Sequence, residues 1–190
     1  GDIGYKPFYD VLNASHYGAP QSRERVYFVC FRKDLEIKNF MFPPPLNKPI
    51  CIKDIIEPES ETKDFMVRRK DIKFTSDNHK IKNMFDDYPL RPIRVGIINK
   101  GGQGERIYSE HGHAITLSAY GGGVAGKTGA YLINYRVRQL TPRECLRVLG
   151  FPETFNFPRN LPFNQIYQQC GNSVVVPVLK AIFERIVRYL

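Results

Sequence analysis

The sequence predicts an α/β fold in which a small β-rich unit is inserted between a strand pair and a helical end. Three observations carry this expectation. Two strand-like runs, "YKPFYDVLN" at 5–13 and "RVYFVCF" at 25–31, follow each other closely. Short strand-like runs between glycine loops fill the middle of the chain. Two helix signatures close it.

The first two runs are rich in Val, Phe and Tyr and suit an antiparallel pair. The turn between them, "ASHYGAPQS", leads into a loop carrying Gln21, Arg23 and Arg25. "MFPPPLNKP" is a proline-rich exit from this unit. Residues 51–92 are charged and short-patterned, and "KPICIKDIIEP" reads as a short helix or strand. "PIRVGIINKGGQG", "RIYS", "AITLSAYG" and "AYLINYRVRQL" read as short strands, so the inserted β-rich unit is placed at about 41–132. "TPREC" then starts a helix: Thr141 is a good N-cap, Pro142 fits the first helical position, and Glu144 completes a capping box. Gly150 and Pro152 end it. "GNSVVVPVLKAIFERIVRYL" reads as the closing helix, capped by Asn172 or Ser173, with Pro177 in its first turn. Val175, Leu179, Ile182, Phe183, Ile186 and Leu190 are expected on one apolar face.

The 190 residues carry 28 Lys and Arg against 19 Asp and Glu, a net charge of +9. A balance this basic favours a polyanionic partner, most often nucleic acid, over an acidic or neutral one. A plain soluble basic surface is the alternative. Cys30, Cys51, Cys145 and Cys170 show no C-x-x-C spacing, which argues against zinc, and all four are expected to be buried, reduced thiols of a cytosolic protein. No apolar run reaches membrane-spanning length and no signal peptide is visible. The first residue is Gly rather than Met, so a piece of a longer polypeptide is expected.

Three constellations suggest chemistry. In "QSRERVYFV", arginine forks can serve phosphate or a base carbonyl, although alone they read as solvated charges at a strand edge. In "QQCGNSVVVP", a helix start offers free N–H groups to a ligand, although alone it reads as an ordinary N-cap. The stretch 101–129 holds nine glycines in twenty-nine residues and matches neither nucleotide-loop spacing. Glycines let backbone enter a DNA groove, where Arg106 can meet a guanine edge and Gln103 a base edge. A flexible surface loop is the other reading.

Three blocks, "VLNASHYGAPQSRERVYFVCFRKDL", "RQLTPRECLRVLGFPETF" and "YQQCGNSVVVPVL", occur in this order. They resemble the last three conserved blocks of the DNA cytosine-5 methyltransferases. That family places its variable target-recognition domain between the first two, where residues 101–129 fall. This stretch resembles the recognition region of the HhaI-type members, which act on GCGC. The likeness spans 8–40 and 93–180 and is weak over 41–92.

The resemblance implies the C-terminal part of a Rossmann-like, S-adenosylmethionine-dependent methyltransferase fold. Residues 1–40 would end the catalytic-domain sheet, 41–132 would form the recognition domain, and 133–190 would return as helices. In the family's reaction the target cytosine is flipped out of the duplex, and a cysteine thiolate from a Pro-Cys motif adds to C6. C5 then takes methyl from S-adenosylmethionine, with a glutamate assisting. None of the four cysteines here follows a proline, and the family's Glu-Asn-Val block and glycine-rich cofactor loop are not in this sequence. The chain is therefore expected to be the C-terminal half, inactive alone, partnered by double-stranded DNA and an N-terminal half, with no metal. It is expected in the prokaryotic cytoplasm on nucleoid DNA.

Carried over residue by residue, Gln21, Arg23 and Arg25 match the block lining the flipped-cytosine pocket. Arg25 would contact the base or its phosphate and Arg23 would hold the pocket together. Gln103 and Arg106 match sequence-reading positions, with Arg106 on a guanine. Tyr120 with Gly121, Gly122 and Gly123 matches the second recognition loop, and Thr116 would touch a phosphate. Asn172, Ser173 and Val174 match the part closing over the cofactor. Arg138, Thr141, Arg143 and Glu144 match a structural block tying the recognition domain to the sheet, while Cys145 and Cys170 are expected to be packing residues. A non-catalytic DNA-binding module and an inactive remnant with bare apolar faces are the alternatives.

Overall fold

A computed structural model describes residues 4–46, 48, 50–75 and 91–190. Part of the charged segment 51–92, residues 76–90, therefore lies outside the described residues. Strands β1 (Tyr5–Asn13) and β2 (Glu24–Arg32) pair antiparallel, with Tyr9 opposite Phe28 and Val11 opposite Val26. Period-2 alternation turns Phe8, Val29 and Phe31 inward, onto the core, and leaves Tyr9, Val11, Val26 and Phe28 exposed on the other face. Phe31, Phe40 and Tyr189 stack at the inner face, with ring centroids 5.1–6.4 Å apart.

A second sheet runs in the order β3 (Ile72–Phe74), β4 (Arg94–Ile98), β5 (Arg106–Ser109), β6 (Ala130–Ile133), β7 (Arg136–Gln139). Every pairing is antiparallel except β5 with β6, which is parallel. The parallel step requires a long crossover, and residues 110–129 supply it. The run "AYLINYRVRQL" is a hairpin rather than one strand: Asn134 and Tyr135 both have positive φ, the signature of a two-residue turn matched to strand twist. "AITLSAYG" is not a strand either. It makes a single parallel bridge, Ala114 with Gln21, and then runs as irregular backbone. "KPICIKDIIEP" contains one 3-10 turn, Ile52–Asp54.

Helix α1 (Pro142–Val148) begins as its sequence signals, with Thr141 accepting from the Glu144 N–H and Glu144 accepting from the Thr141 N–H. Helix α2 (Phe163–Asn172) is not anticipated by the sequence reading. Its presence corrects the closing helix, α3 (Val176–Ile186). Asn172 is the last residue of α2 and Ser173 its C-cap, so neither caps α3, whose N-cap is Val175 with no side-chain cap bond. The chain turns a corner at 173–175, and Asn-Ser chemistry ends one helix instead of starting the next. The apolar face of α3 is also divided. Val175, Val178 and Ile182 are buried, whereas Phe183 and Leu190 are exposed.

The large core joins β1–β2 to all three helices, and a smaller cluster (Val95, Ile98, Ile107, Ala125, Ala130, Val137) lies within the second sheet. Cys51, Cys145 and Cys170 are buried free thiols, and burial followed by contact with Asp54 pushes Cys51 up to about 11. Cys30 is exposed, because its place in β2 alternation puts it on the outer face.

Candidate nucleic-acid and cofactor site

The site grows from the backbone just ahead of β2. Ala114 donates to the Pro20 carbonyl and Ser22 donates to the Ala114 carbonyl, zipping 20–22 against the crossover. The Thr116 hydroxyl donates to the Ser22 carbonyl at 2.7 Å and the Gln21 amide to the Ile115 carbonyl at 3.4 Å. Gln21 is fully buried, and its Oε1 has no partner among the described residues.

Arg23 binds this junction to the helices. The residue is 7% exposed, and its guanidinium donates to the carbonyls of Leu117 (3.1 Å), Gly171 (3.0 Å) and Ser173 (3.0 Å). Burial, then the nearby Arg25, lowers its pKa, although a guanidinium stays charged. α2 comes this close because residue 171 is glycine. A Cβ there would overlap the backbone of Ser118 and Ala119. Arg25 is exposed and, among the described residues, donates only to the Glu24 carbonyl. After Gly171, Asn172 and Val174 are exposed and Ser173 is half-buried.

The glycine-rich stretch forms two loops. The first carries Gln103 and Arg106, both exposed, with Arg106 Nε 3.4 Å from the Gly101 carbonyl. The second carries Tyr120, 79% exposed, and Gly121–Gly123. The expectation that these glycines clear space for DNA needs correction at four positions. A Cβ on Gly104 would overlap Gly122 and Gly126 of the second loop, one on Gly121 or Gly126 would overlap the backbone of the other side of that same loop, and one on Gly123 would press on Gln103 and Gly104. The loops lie backbone against backbone, joined by the Ala125 N–H to Gly104 carbonyl bond at 2.9 Å. Only Gly122 of this group faces open space. The glycines therefore clear room for each other, and the longer side chains project from the joined loops.

A second anchor ties β7 to α1. The Arg138 guanidinium meets both oxygens of Glu144 at 2.7 Å, with both side chains buried. Glu144 also accepts from the N–H groups of Glu57 (2.8 Å) and Thr141 (2.9 Å), and the Thr141 hydroxyl donates to Glu57 at 2.5 Å. Arg143 instead donates to the carbonyls of Glu153 and Phe155 and to Asn156. Lys127 is one of the donor side chains interleaved with the glycines of 101–129. It reaches from the second loop to the backbone carbonyl of Asn164 (3.2 Å) and to its side chain. Its partner is on another element, so no local pattern reveals it.

Gln21, Arg23 and Thr116 are thus brought together with Ser173, while Gln103, Arg106 and Tyr120 sit on the joined loops at the surface. Among the described residues, no group of three or more His, Cys, Asp or Glu is placed to hold a metal ion, and no helix is long and apolar enough to cross a membrane.

The sequence pattern of the C-5 cytosine-specific DNA methylases matches residues 1–188. The chain is 48% identical over 181 residues to the Type II methyltransferase M.HhaI of Haemophilus parahaemolyticus, covering 95% of this chain and 53% of that protein. It is 34% identical to M.Bsp6I of Bacillus sp. (strain RFL6), covering 96% and 55%. The chain spans about half the length of the curated relatives it matches. In fold it is similar to a putative DNA modification methyltransferase encoded within an E. coli prophage (TM-score 0.64, 20% identity, 98% of this chain and 61% of that one). The S. pombe Dnmt2 methyltransferase is likewise similar (TM-score 0.61, 18% identity, 97% and 58%). The fold is thus that of a part of the Rossmann-like methyltransferases.

Proposed function

Because the chain belongs to the C-5 cytosine-specific DNA methylase family, we propose that it is the DNA-recognising and cofactor-closing part of a restriction-modification cytosine-5 methyltransferase. Residues 41–139 serve as its recognition domain, with β7 kept in its own sheet, and 1–40 with 140–190 belong to the catalytic domain. The target is a cytosine in GCGC, a reading supported by the resemblance of residues 101–129 to the HhaI-type recognition region. The reactive cysteine comes from another segment, on the same polypeptide or a separate subunit. The complete enzyme works on nucleoid DNA in the bacterial cytoplasm.

The observation that carries this reading is the threefold hold of Arg23. One cation fixes the start of β2, the crossover and the end of α2 around a single point. Such a junction suits the wall of a pocket for an extruded base, with exposed Arg25 facing the base or its phosphate. Gln103, Arg106 and Tyr120 read the duplex from the loops, and Thr116 supports the pocket and meets a phosphate.

S-adenosylmethionine supplies the methyl group when bound. Asn172, Ser173 and Val174 fit a share of its site: an exposed amide, a half-buried hydroxyl and an exposed apolar side chain follow one another at the end of α2. Ser173 is held in place through its own carbonyl by Arg23.

An apolar surface supports the need for a second segment and disfavours a stand-alone binding module. Tyr9, Val11, Val26 and Phe28 are exposed on the outer face of β1–β2. On its other side β2 borders an apolar groove of about 540 Å³ whose lining includes Tyr27, Leu179, Phe183 and Leu190. Apolar surface of this extent marks an interface.

The test combines this chain with the N-terminal segment of M.HhaI and measures transfer of labelled methyl to duplexes with and without GCGC. Methylation is expected only with both pieces and only on GCGC. Arg106→Ala should then lose about 1–3 kcal/mol of discrimination. Transfer by this chain alone would refute the location of the cysteine, and equal transfer to both duplexes would refute the target sequence.

A further inference from the structure

Helix α2 has an unusual surface. Its ten residues, "FNQIYQQCGN", include no Lys, Arg, Asp or Glu, in a chain whose residues are 25% charged. A solvated helix face ordinarily carries charges. Here Ile166, Tyr167 and Cys170 are buried. The opposite stripe is Gln165, Gln168, Gln169 and Asn172, which recur at the three- and four-residue spacing of one helix face. Together with Ser173 they line an open groove of about 490 Å³. The three glutamine side chains make no hydrogen bond to any described residue.

Two contacts join this stripe to the glycine-rich loops. Lys127 holds Asn164 at the first turn of α2. Gly171 at the last turn lies against Ser118 and Ala119, immediately before exposed Tyr120. A duplex seated on Tyr120 and its loop would thus run past the outer face of α2.

The chemistry of the face suits that occupant. Each amide presents donors and an acceptor without charge, matching phosphate and sugar oxygens and the edges of bases in a groove. No carboxylate on the stripe repels phosphate. We propose that the amide stripe Gln165–Gln168–Gln169 is a second, uncharged contact surface for duplex DNA beside the target base. The proposal rests on the DNA reading given above. Asn172 and Ser173, at the end of the groove, belong to the cofactor side.

A neutral contact is separable from a charged one by its salt dependence. The chain assembled with the M.HhaI N-terminal segment is titrated with a GCGC duplex over a salt series. The variants are the triple Gln165→Ala/Gln168→Ala/Gln169→Ala, the single Gln168→Glu and the single Gln168→Lys. The triple variant should bind about tenfold more weakly or worse, with an unchanged slope of log affinity against log salt. Gln168→Glu keeps the shape and should lose most affinity at low salt, whereas Gln168→Lys should tighten binding and steepen the slope by about 0.9. If the parent assembly binds no duplex, the DNA reading fails and this inference falls with it. If the parent binds and all three variants match it in affinity and slope, the inference alone is overturned. Weakened assembly of the two pieces, or weakened cofactor binding with duplex affinity intact, would also overturn it by assigning the stripe another occupant.

Discussion

Replacing Arg138 with Met tests whether the β7–α1 anchor holds the recognition sheet to the helices. Arg138 and Glu144 share two 2.7 Å hydrogen bonds and are both buried. Their charge centres lie roughly 4 Å apart, which at an effective dielectric of about 20 corresponds to about 4 kcal/mol of attraction. Loss of one partner leaves the other charge buried, and such losses run to about 3–5 kcal/mol. Glu144 keeps the N–H groups of Glu57 and Thr141, so Arg138→Met belongs toward the lower end of that range. For a chain of this size the loss lowers Tm by roughly 6–20 °C. Urea unfolding of Arg138→Met, Glu144→Gln and the double variant measures it. The double variant should cost clearly less than the two singles together, because each single strands the other's polar group. Arg138→Lys should fall between Met and the parent, since an ammonium keeps the charge but loses the two-pronged fit. If either single costs under 1 kcal/mol, or the two costs simply add, the anchor does not work as described.

Two further outcomes follow from particular residues. Gly104→Ala should cost roughly 2–5 kcal/mol, because its φ is +78° and the new Cβ meets the facing loop, whereas Gly122→Ala, facing open space, should stay within about 0.5 kcal/mol; thermal unfolding of both variants checks this. His113 is buried, its Nδ1 lacks a partner among the described residues, and burial followed by the nearby His16 lowers its pKa below 6.5. The unfolded chain therefore takes up this proton first, so stability should be whole above about pH 6.5 and fall as pH drops from there through the folded value. His113→Ile should flatten that part of a stability–pH curve, and an unchanged slope would exclude His113 as its source.

Local signals in the sequence are faithful where the partners are also local. The capping box at Thr141 and Glu144 lies within three residues, and the structure has it. The β1–β2 pair follows from alternation and a short turn. The expectations that miss depend on distant partners. "AITLSAYG" alternates like a strand, but its backbone is taken up by Ser22 and Arg23, far away in sequence, and by Lys127 of the loop that follows it. Asn172 and Ser173 look like an N-cap because the same residue types suit either end of a helix. α2 was discernible in the Ile166, Tyr167 and Cys170 spacing after Pro162, yet its many amides hid the periodicity. The glycines show the effect most plainly. For Gly104 and Gly123 the reason is the loop across from them, which lies far along the chain.

The two buried arginines differ in a way that bears on ligand attraction. Arg138 is neutralised by a carboxylate, so it fixes structure and leaves little field outside. Arg23 is held by three carbonyls and forms no ion pair among the described residues. Carbonyl dipoles solvate a cation without cancelling its charge. Arg25 lies two residues away, is also held only by a carbonyl, and lowers the pKa of Arg23 further. Arg23 and Arg25 repel each other modestly, since Arg25 is exposed to water, and together they leave a positive potential at the start of β2. A phosphate placed there would relieve that repulsion as well as gain its own contacts. Such a potential favours an anionic ligand over a cationic one at this junction.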